Sequence, residues 1–170
     1  DTTLWSYNLT TGTSQELSSN ILAPGENSGA VMLDGKLWFD CVTTITATEL
    51  CYSDGTVEGS KLAYEFQPGI SSSDIRAISH VNQTLLIIVD GVVNGVDSGH
   101  WLWSFDTANM EARIAYDAWI GSGNNSQSGT YGSLVVSAEI IFMVANNGVT
   151  GHEIHSWSPS SIGNEWLILD

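Results

Sequence analysis

Three oxygen-bearing side chains lie close together in the segment from Asp90 to Asp97, which reads Asp-Gly-Val-Val-Asn-Gly-Val-Asp. Carboxylate and amide oxygens are the ligands that calcium takes in proteins, and Asp90, Asn94 and Asp97 would supply them. The spacing differs from that of an EF-hand loop, which ends on a glutamate. The segment therefore predicts either a calcium site or an ordinary hairpin loop built from turn residues.

The chain contains seven tryptophans, and aromatic faces of this kind stack on sugar rings. Five of them fall in predicted strands, where aromatic side chains fill the core: Trp5, Trp38, Trp103, Trp157 and Trp166. The other two, Trp101 and Trp119, are the candidates for an exposed platform that binds glycans. Packing within the protein is the alternative for both.

The only two cysteines, Cys41 and Cys51, fall in neighbouring strands of one predicted hairpin. A loop centred near Thr46 would place them directly opposite each other, within the distance that a disulfide spans. We expect a Cys41–Cys51 disulfide, and two buried thiols in a reducing compartment are the alternative.

Three sequons for N-glycosylation occur, at Asn8, Asn82 and Asn124. Each lies in a predicted turn or polar loop, and acceptor asparagines must be exposed to the glycosylating enzyme. These positions are therefore candidate glycosylation sites of a secreted protein.

A short apolar stretch followed by a turn residue recurs four times. The copies are Leu4-Trp5-Ser6-Tyr7-Asn8, Leu50-Cys51-Tyr52-Ser53-Asp54, Leu102-Trp103-Ser104-Phe105-Asp106 and Ile154-His155-Ser156-Trp157-Ser158, with spacings of 46, 52 and 52 residues. Each copy reads as the first strand of a hairpin, because Asn, Asp and Ser bond their own backbone at turns. Self-similarity at such a period indicates a repeat protein.

A second hairpin precedes three of these copies. Its main strands are predicted at Leu37 to Cys41, Leu85 to Val89 and Ile140 to Val144, aligned by their first residues. Two hairpins give four antiparallel strands per period, which is the pattern of a β-propeller blade. We expect an all-β, propeller-like array with a half blade at 1–20 and full blades at 27–67, 74–117 and 131–170, which together form one domain or part of a larger propeller.

The best-formed copy, from Glu49 to Leu62, reads Glu-Leu-Cys-Tyr-Ser-Asp-Gly-Thr-Val-Glu-Gly-Ser-Lys-Leu. It resembles the E-L-W-x-S-D-G-T repeat of large secreted and surface proteins, with Cys51 at the tryptophan position. The other three copies are degenerate. The resemblance implies β-propeller blades and an extracellular location, and it brings no catalytic residues.

The charge balance excludes one class of partner. Four Lys and Arg residues stand against 19 Asp and Glu residues, which gives a net charge of −15. A nucleic-acid backbone would be repelled, and no apolar stretch is long enough for a membrane span.

Three hypotheses about function follow. The first is an extracellular structural and interaction module that assembles with itself or with neighbouring propeller subunits, including as a surface fibre. The second is a propeller module that binds glycans or calcium. The third is a fragment of a propeller glycosidase, which needs two converging carboxylates. Because the sequence contains no nucleophile elbow or phosphate-binding loop, we expect no enzyme and no obligatory cofactor.

Overall fold

A computed structural model describes residues 3–22, 29–69, 73–93, 96–116, 130–146, 149–158 and 167–169. All regular secondary structure in these ranges is β-strand, and the strands form three antiparallel sheets. Within them, no helix is long and apolar enough to cross a membrane. The all-β prediction is confirmed.

Sheet 1 has six strands. They are β1 (Thr3–Asn8), β2 (Thr13–Leu22), β3 (Ala30–Leu33), β4 (Lys36–Thr43), β5 (Thr48–Ser53) and β6 (Ser60–Tyr64). Strand β4 is bordered by β5 on one side and by both β3 and the end of β2 on the other, since Ile21 and Leu22 pair with Thr43 and Val42. The segments that we expected to form a separate half blade and a first blade are therefore joined in one sheet.

Sheets 2 and 3 each have four strands in sequential order. Sheet 2 comprises β7 (Asp74–Val81), β8 (Thr84–Val93), β9 (Val96–Asp106) and β10 (Glu111–Tyr116). Sheet 3 comprises β11 (Thr130–Ser137), β12 (Ile140–Asn146), β13 (His152–Trp157) and β14 (Leu167–Leu169). This up-and-down order agrees with the predicted four-strand pattern, while the division of the chain into blades stays a prediction.

The sheets pack face to face in chain order. Each sheet or hairpin has two faces. We call the face towards the next sheet along the chain its leading face, and the opposite face its trailing face. Trp38 and Leu50, on the leading face of sheet 1, pack against Ile87 and Phe105 of sheet 2. Apolar side chains on both faces of β8 are thus buried, which explains the unbroken run from Leu85 to Val89.

The second interface repeats this arrangement. Leu86, Ile88 and Leu102 on the leading face of sheet 2 pack against Ile141 and Met143 on the trailing face of sheet 3. At the other end of the chain, the β1–β2 hairpin covers the trailing face of β4 and β5, because Leu4 and Ile21 belong to one apolar cluster with Phe39 and both cysteines.

The disulfide between Cys41 and Cys51 is present, with Cα atoms 5.8 Å apart. The two residues are diagonal neighbours and not directly opposite, because Cys41 pairs with Glu49 and Cys51 pairs with Phe39. The expected register was therefore wrong by two residues. The reason is the loop after β4, where the Thr43 hydroxyl accepts a hydrogen bond from the amide of Thr46 at 2.9 Å and centres the loop one residue earlier than expected.

Three of the four predicted turns are formed by the residues that the sequence indicated, and the fourth, after Ser158, lies outside the described residues. The side-chain oxygens of Asn8, Asp54 and Asp106 each accept a hydrogen bond of 2.9 Å from the backbone amide two residues later. Hydrogen bonds also lower the pKa of the two aspartates. The main one at Asp54 comes from the hydroxyl of Thr56, and the main one at Asp106 comes from the amide side chain of Asn109. These turns place the outer hairpins at equivalent positions in the array.

Candidate interaction surfaces

One position of the repeat changes from buried to exposed along the chain. Leu4, Leu50, Leu102 and Ile154 are equivalent, and each lies on the leading face of its hairpin. Leu4 is partly buried against sheet 1, and Leu50 and Leu102 are fully buried against the following sheet. Ile154 is 50% exposed. Among the described residues, Ile154 is therefore the most exposed of the four equivalent side chains.

The leading face of sheet 3 has further exposed apolar side chains around Ile154. Val144 pairs directly with Ile154 across β12 and β13, and it is 37% exposed. Three more side chains lie on the same face. Ile140 and Phe142 flank the buried Ile141 in β12 and therefore point to the opposite side, and Val135 pairs directly with Phe142. We call this set of five residues, Val135, Ile140, Phe142, Val144 and Ile154, the leading end face.

The next position of the repeat shows the opposite gradient. Trp5, Cys51, Trp103 and His155 are equivalent, and each lies on the trailing face of its hairpin. Cys51 is buried against the β1–β2 hairpin, Trp103 packs on sheet 1 and His155 is buried against sheet 2. Trp5 is 57% exposed.

Tyr7 lies on the same side of β1 as Trp5 and is 61% exposed. Its equivalent in sheet 2 is Phe105, which is fully buried against Trp38 with ring centroids 5.7 Å apart. Trp5 and Tyr7 therefore form a second uncovered apolar surface, at the opposite end of the array. We call it the trailing end face.

The covered interfaces show how a neighbour is held in place. His155, on the trailing face of sheet 3, is within hydrogen-bonding distance of the Tyr116 hydroxyl of sheet 2, at 3.0 Å from Nδ1 to oxygen. Burial lowers the pKa of His155, so the neutral imidazole is favoured at this contact. Aromatic packing also contributes to these interfaces. The ring centroids of Phe66, in the segment after β6, and Trp103 lie 5.3 Å apart.

A buried carboxyl group holds the connection between sheets 1 and 2. Glu49 Oε2 accepts hydrogen bonds from the amide of Phe66 at 2.8 Å and from the hydroxyl of Ser73 at 2.5 Å. Glu49 is fully buried, and this burial raises its pKa to about 7 despite the hydrogen bonds. The first residue of the best-formed repeat therefore has a structural role.

A polar groove of about 480 Å³ lies between the turns of sheets 1 and 2. Its lining includes Asp34, Lys36, Gln83 and Thr107. The ammonium group of Lys36 lies 4.7 Å from the centre of the Tyr52 ring, a cation–π contact beside the groove. Donors and acceptors thus converge at a site that the sequence did not indicate, because its residues come from separate turns.

The structure places some of the predicted site residues and not others. Trp101 is half-buried, with its ring centroid 6.2 Å from that of Trp103, while Trp119 lies outside the described residues. Asn8 and Asn82 are exposed in turns, and Asn124 also lies outside the described residues. Glycosylation at these sites and glycan binding by the two tryptophans stay predictions.

The predicted calcium segment is largely strand. The backbones of Asp90 and Asp97 belong to β8 and β9, which pair as far as Val93 and Val96, so the loop is shorter than expected. Asn94 lies outside the described residues. Among the described side chains, no three of His, Cys, Asp or Glu are grouped closely enough to hold a metal ion.

Comparison with known proteins supports the fold. No protein-family model and no curated protein sequence matches the chain. Among solved structures, it is similar to puromycin hydrolase (TM-score 0.59, 15% identity), with 94% of this chain and 23% of that chain covered. A puromycin hydrolase mutant complexed with PGG gives a TM-score of 0.55 at 16% identity, over 84% of this chain and 21% of the other.

TolB from Acinetobacter baumannii is also similar, with a TM-score of 0.56 and 15% identity over 97% of this chain and 37% of that chain. The similar regions are β-propeller folds, so the chain has a propeller-like fold. It spans less than two-fifths of the length of each of these proteins.

Proposed function

We propose that the chain is a non-catalytic, extracellular structural module that associates with itself or with neighbouring propeller subunits through the leading end face. The observation that supports this proposal is the contrast between Leu102 and Ile154. They are equivalent, yet Leu102 is fully buried under the next sheet and Ile154 is half-exposed.

A partner at this face would bury apolar side chains that are now partly exposed. Full burial of an aliphatic or aromatic side chain contributes about 1.5–3 kcal/mol relative to exposure. Four of the five side chains of the leading end face are between 37% and 55% exposed. Covering this face would therefore contribute several kcal/mol, and contiguous exposed apolar surface is typical of protein interfaces.

The disulfide and the exposed sequons support an extracellular location. Disulfides persist mainly in oxidising environments outside the cytosol, and Asn8 and Asn82 are accessible for glycosylation. Intact mass spectrometry of the native protein tests this part of the proposal. Sugar mass at either asparagine supports it, and free thiols at Cys41 and Cys51 would contradict it.

The association itself is tested by the substitution Ile154→Asp. A carboxylate in an apolar contact must be desolvated, so we expect Ile154→Asp to weaken association at least about tenfold. The matched control is Val149→Asp, because Val149 is 88% exposed and lies outside the leading end face. Light scattering after size-exclusion chromatography gives the mass of each variant, and equal association of Ile154→Asp and wild type would refute the proposal.

A second candidate function is the binding of a small polar ligand such as a glycan in the groove between sheets 1 and 2. The convergence of Asp34, Lys36 and Gln83 favours it, because these groups offer both donors and acceptors. Titration with a panel of neutral oligosaccharides, followed by NMR, tests it. Binding that is lost in Lys36→Ala and kept in Lys61→Ala would support this candidate, and no shift at Gln83 or Thr107 would exclude it for that panel.

A further inference from the structure

The two end faces differ in kind. The face around Ile154 is a leading face, and the face of Trp5 and Tyr7 is a trailing face. Each interface among the described residues joins a leading face to a trailing face, as Leu50 of sheet 1 and Phe105 of sheet 2 illustrate. Two leading faces do not meet anywhere in the described part of the chain.

The geometry points to a second copy of this chain as the partner of the leading end face, with Trp5 and Tyr7 of the second copy packed against Val144 and Ile154 of the first. This inference rests on the proposed function and specifies its partner. It extends the interface between sheets 2 and 3, where the equivalent residues His155 and Trp157 pack on the leading face of sheet 2.

The composition of the two faces fits this pairing. Trp5 and Tyr7 are large and flat, whereas Val144 and Ile154 are branched aliphatic side chains of the kind that aromatic rings cover well. The indole nitrogen of Trp5 donates a hydrogen bond to the Thr3 hydroxyl at 2.8 Å, which satisfies its polar atom within its own strand. The ring can therefore be buried without leaving an unpaired donor.

A contact of this type is head-to-tail. Each copy uses a different face, so one face of every copy stays available for the next copy. The chain then forms a closed ring if the rotation between copies closes, and a filament if it does not. Both forms differ from a two-fold dimer, in which identical faces meet.

Mixing two variants tests the pairing. Trp5→Asp disables the trailing end face, and Ile154→Asp disables the leading end face, so each variant alone should remain at the mass of one chain, 18.3 kDa. An equimolar mixture should give a species of twice that mass, because each variant retains the face that the other needs. Leu9→Asp and Val149→Asp, at 90% and 88% exposed sites, are the controls and should assemble like wild type.

Each alternative outcome has a distinct meaning. A Trp5→Asp protein that dimerises alone, with an Ile154→Asp protein that stays monomeric in the mixture, would overturn the head-to-tail inference and keep the proposed function. Wild type that stays at the mass of one chain at all concentrations would overturn the pairing and the self-association in the proposed function. If either variant fails to fold by circular dichroism, Tyr7→Asp and Val144→Asp replace the pair and carry the same expectations.

Discussion

The carboxylate of Asp54 occupies the space that a β-carbon on Gly59 would need. The two residues belong to the turn between β5 and β6, where the Asp54 amide donates to the Gly59 carbonyl at 3.2 Å. Asp54 is held there by the amide and the hydroxyl of Thr56. The Asp54 carboxylate therefore approaches position 59 so closely that only a glycine fits there without a shift.

We expect Gly59→Ala to lower Tm by roughly 2–6 °C, because the added methyl group displaces the carboxylate and breaks its hydrogen bonds to Thr56. Thermal unfolding of Gly59→Ala, Asp54→Ala and the double variant measures this effect. The two substitutions should be strongly non-additive, since the clash disappears when Asp54 is removed. Additive shifts would show that the contact does not limit this position.

The buried carboxyl of Glu49 predicts a specific pH dependence. Its pKa is about 7 in the folded protein and 4.5 in its ordinary state, so the folded protein binds the extra proton between these values. The unfolding free energy should therefore fall as pH rises from about 4.5 to 7, by an amount on the order of 3 kcal/mol.

Glu49→Gln removes this ionisation and keeps a side-chain oxygen that can accept the hydrogen bonds from Phe66 and Ser73. Urea unfolding at pH 5 and pH 8 should show the variant gaining stability relative to wild type at the higher pH. Glu58→Gln, at an exposed position of the neighbouring turn, is the control for loss of charge. An equal difference between Glu49→Gln and wild type at both pH values would contradict the buried-carboxyl account.

The Cys41–Cys51 disulfide closes a loop with a sequence separation of 10 residues. In the chain-entropy account, a loop of this length contributes about 2–3 kcal/mol by restricting the unfolded chain. The double variant Cys41→Ala, Cys51→Ala should lose about that much stability in urea unfolding. Hydrogen exchange should still show the β4–β5 ladder protected, because its register is maintained by backbone hydrogen bonds; loss of protection there would contradict this expectation.

The sequence predicted the local features of the fold well. Asn8, Asp54 and Asp106 open turns because their side chains bond a backbone amide two residues away, and this depends on no distant part of the chain. The four-strand order of sheets 2 and 3 also followed from the spacing of these turns. The turns can be derived from a few consecutive residues, and the strand order needs in addition only the spacing of the repeat.

The sequence alignment of the repeats was one residue too early at β12, in sheet 3. The turn residues Asp34, Asn82 and Ala138 all have positive φ and stand three residues before Leu37, Leu85 and Ile141. Ile141, and not Ile140, is therefore equivalent to Leu85. Residues 140 and 141 are both isoleucine, so residue type could not show that Ile141 is buried and Ile140 exposed. The position of the preceding turn does distinguish them.

The candidate interface could not be derived from the sequence. Leu102 and Ile154 are both aliphatic and occupy the same position of the repeat, and only the packing of the sheets shows that one is covered and the other is not. The union of the β1–β2 hairpin with β4 was missed for a similar reason, since it depends on two non-local residue pairs.

Association should strengthen with added salt. Each copy carries a net charge of −15, so two copies repel each other, while the end faces are mainly apolar. Screening shortens the range of the repulsion to about 10 Å at 0.1 M ionic strength and leaves the apolar contact intact. Sedimentation velocity from about 0.02 to 0.5 M NaCl should show larger species at higher salt, and the reverse trend would indicate a contact dominated by opposite charges.

Hydroxyl-radical footprinting of the wild-type protein over a range of concentrations tests the two end faces most directly. We predict that Trp5, Tyr7, Val144 and Ile154 lose reactivity together as concentration rises, while Leu9 and Val149 stay reactive. Reactivity of these four residues that does not change with concentration, in a sample that has demonstrably assembled, would contradict the account and place the contact elsewhere on the molecule.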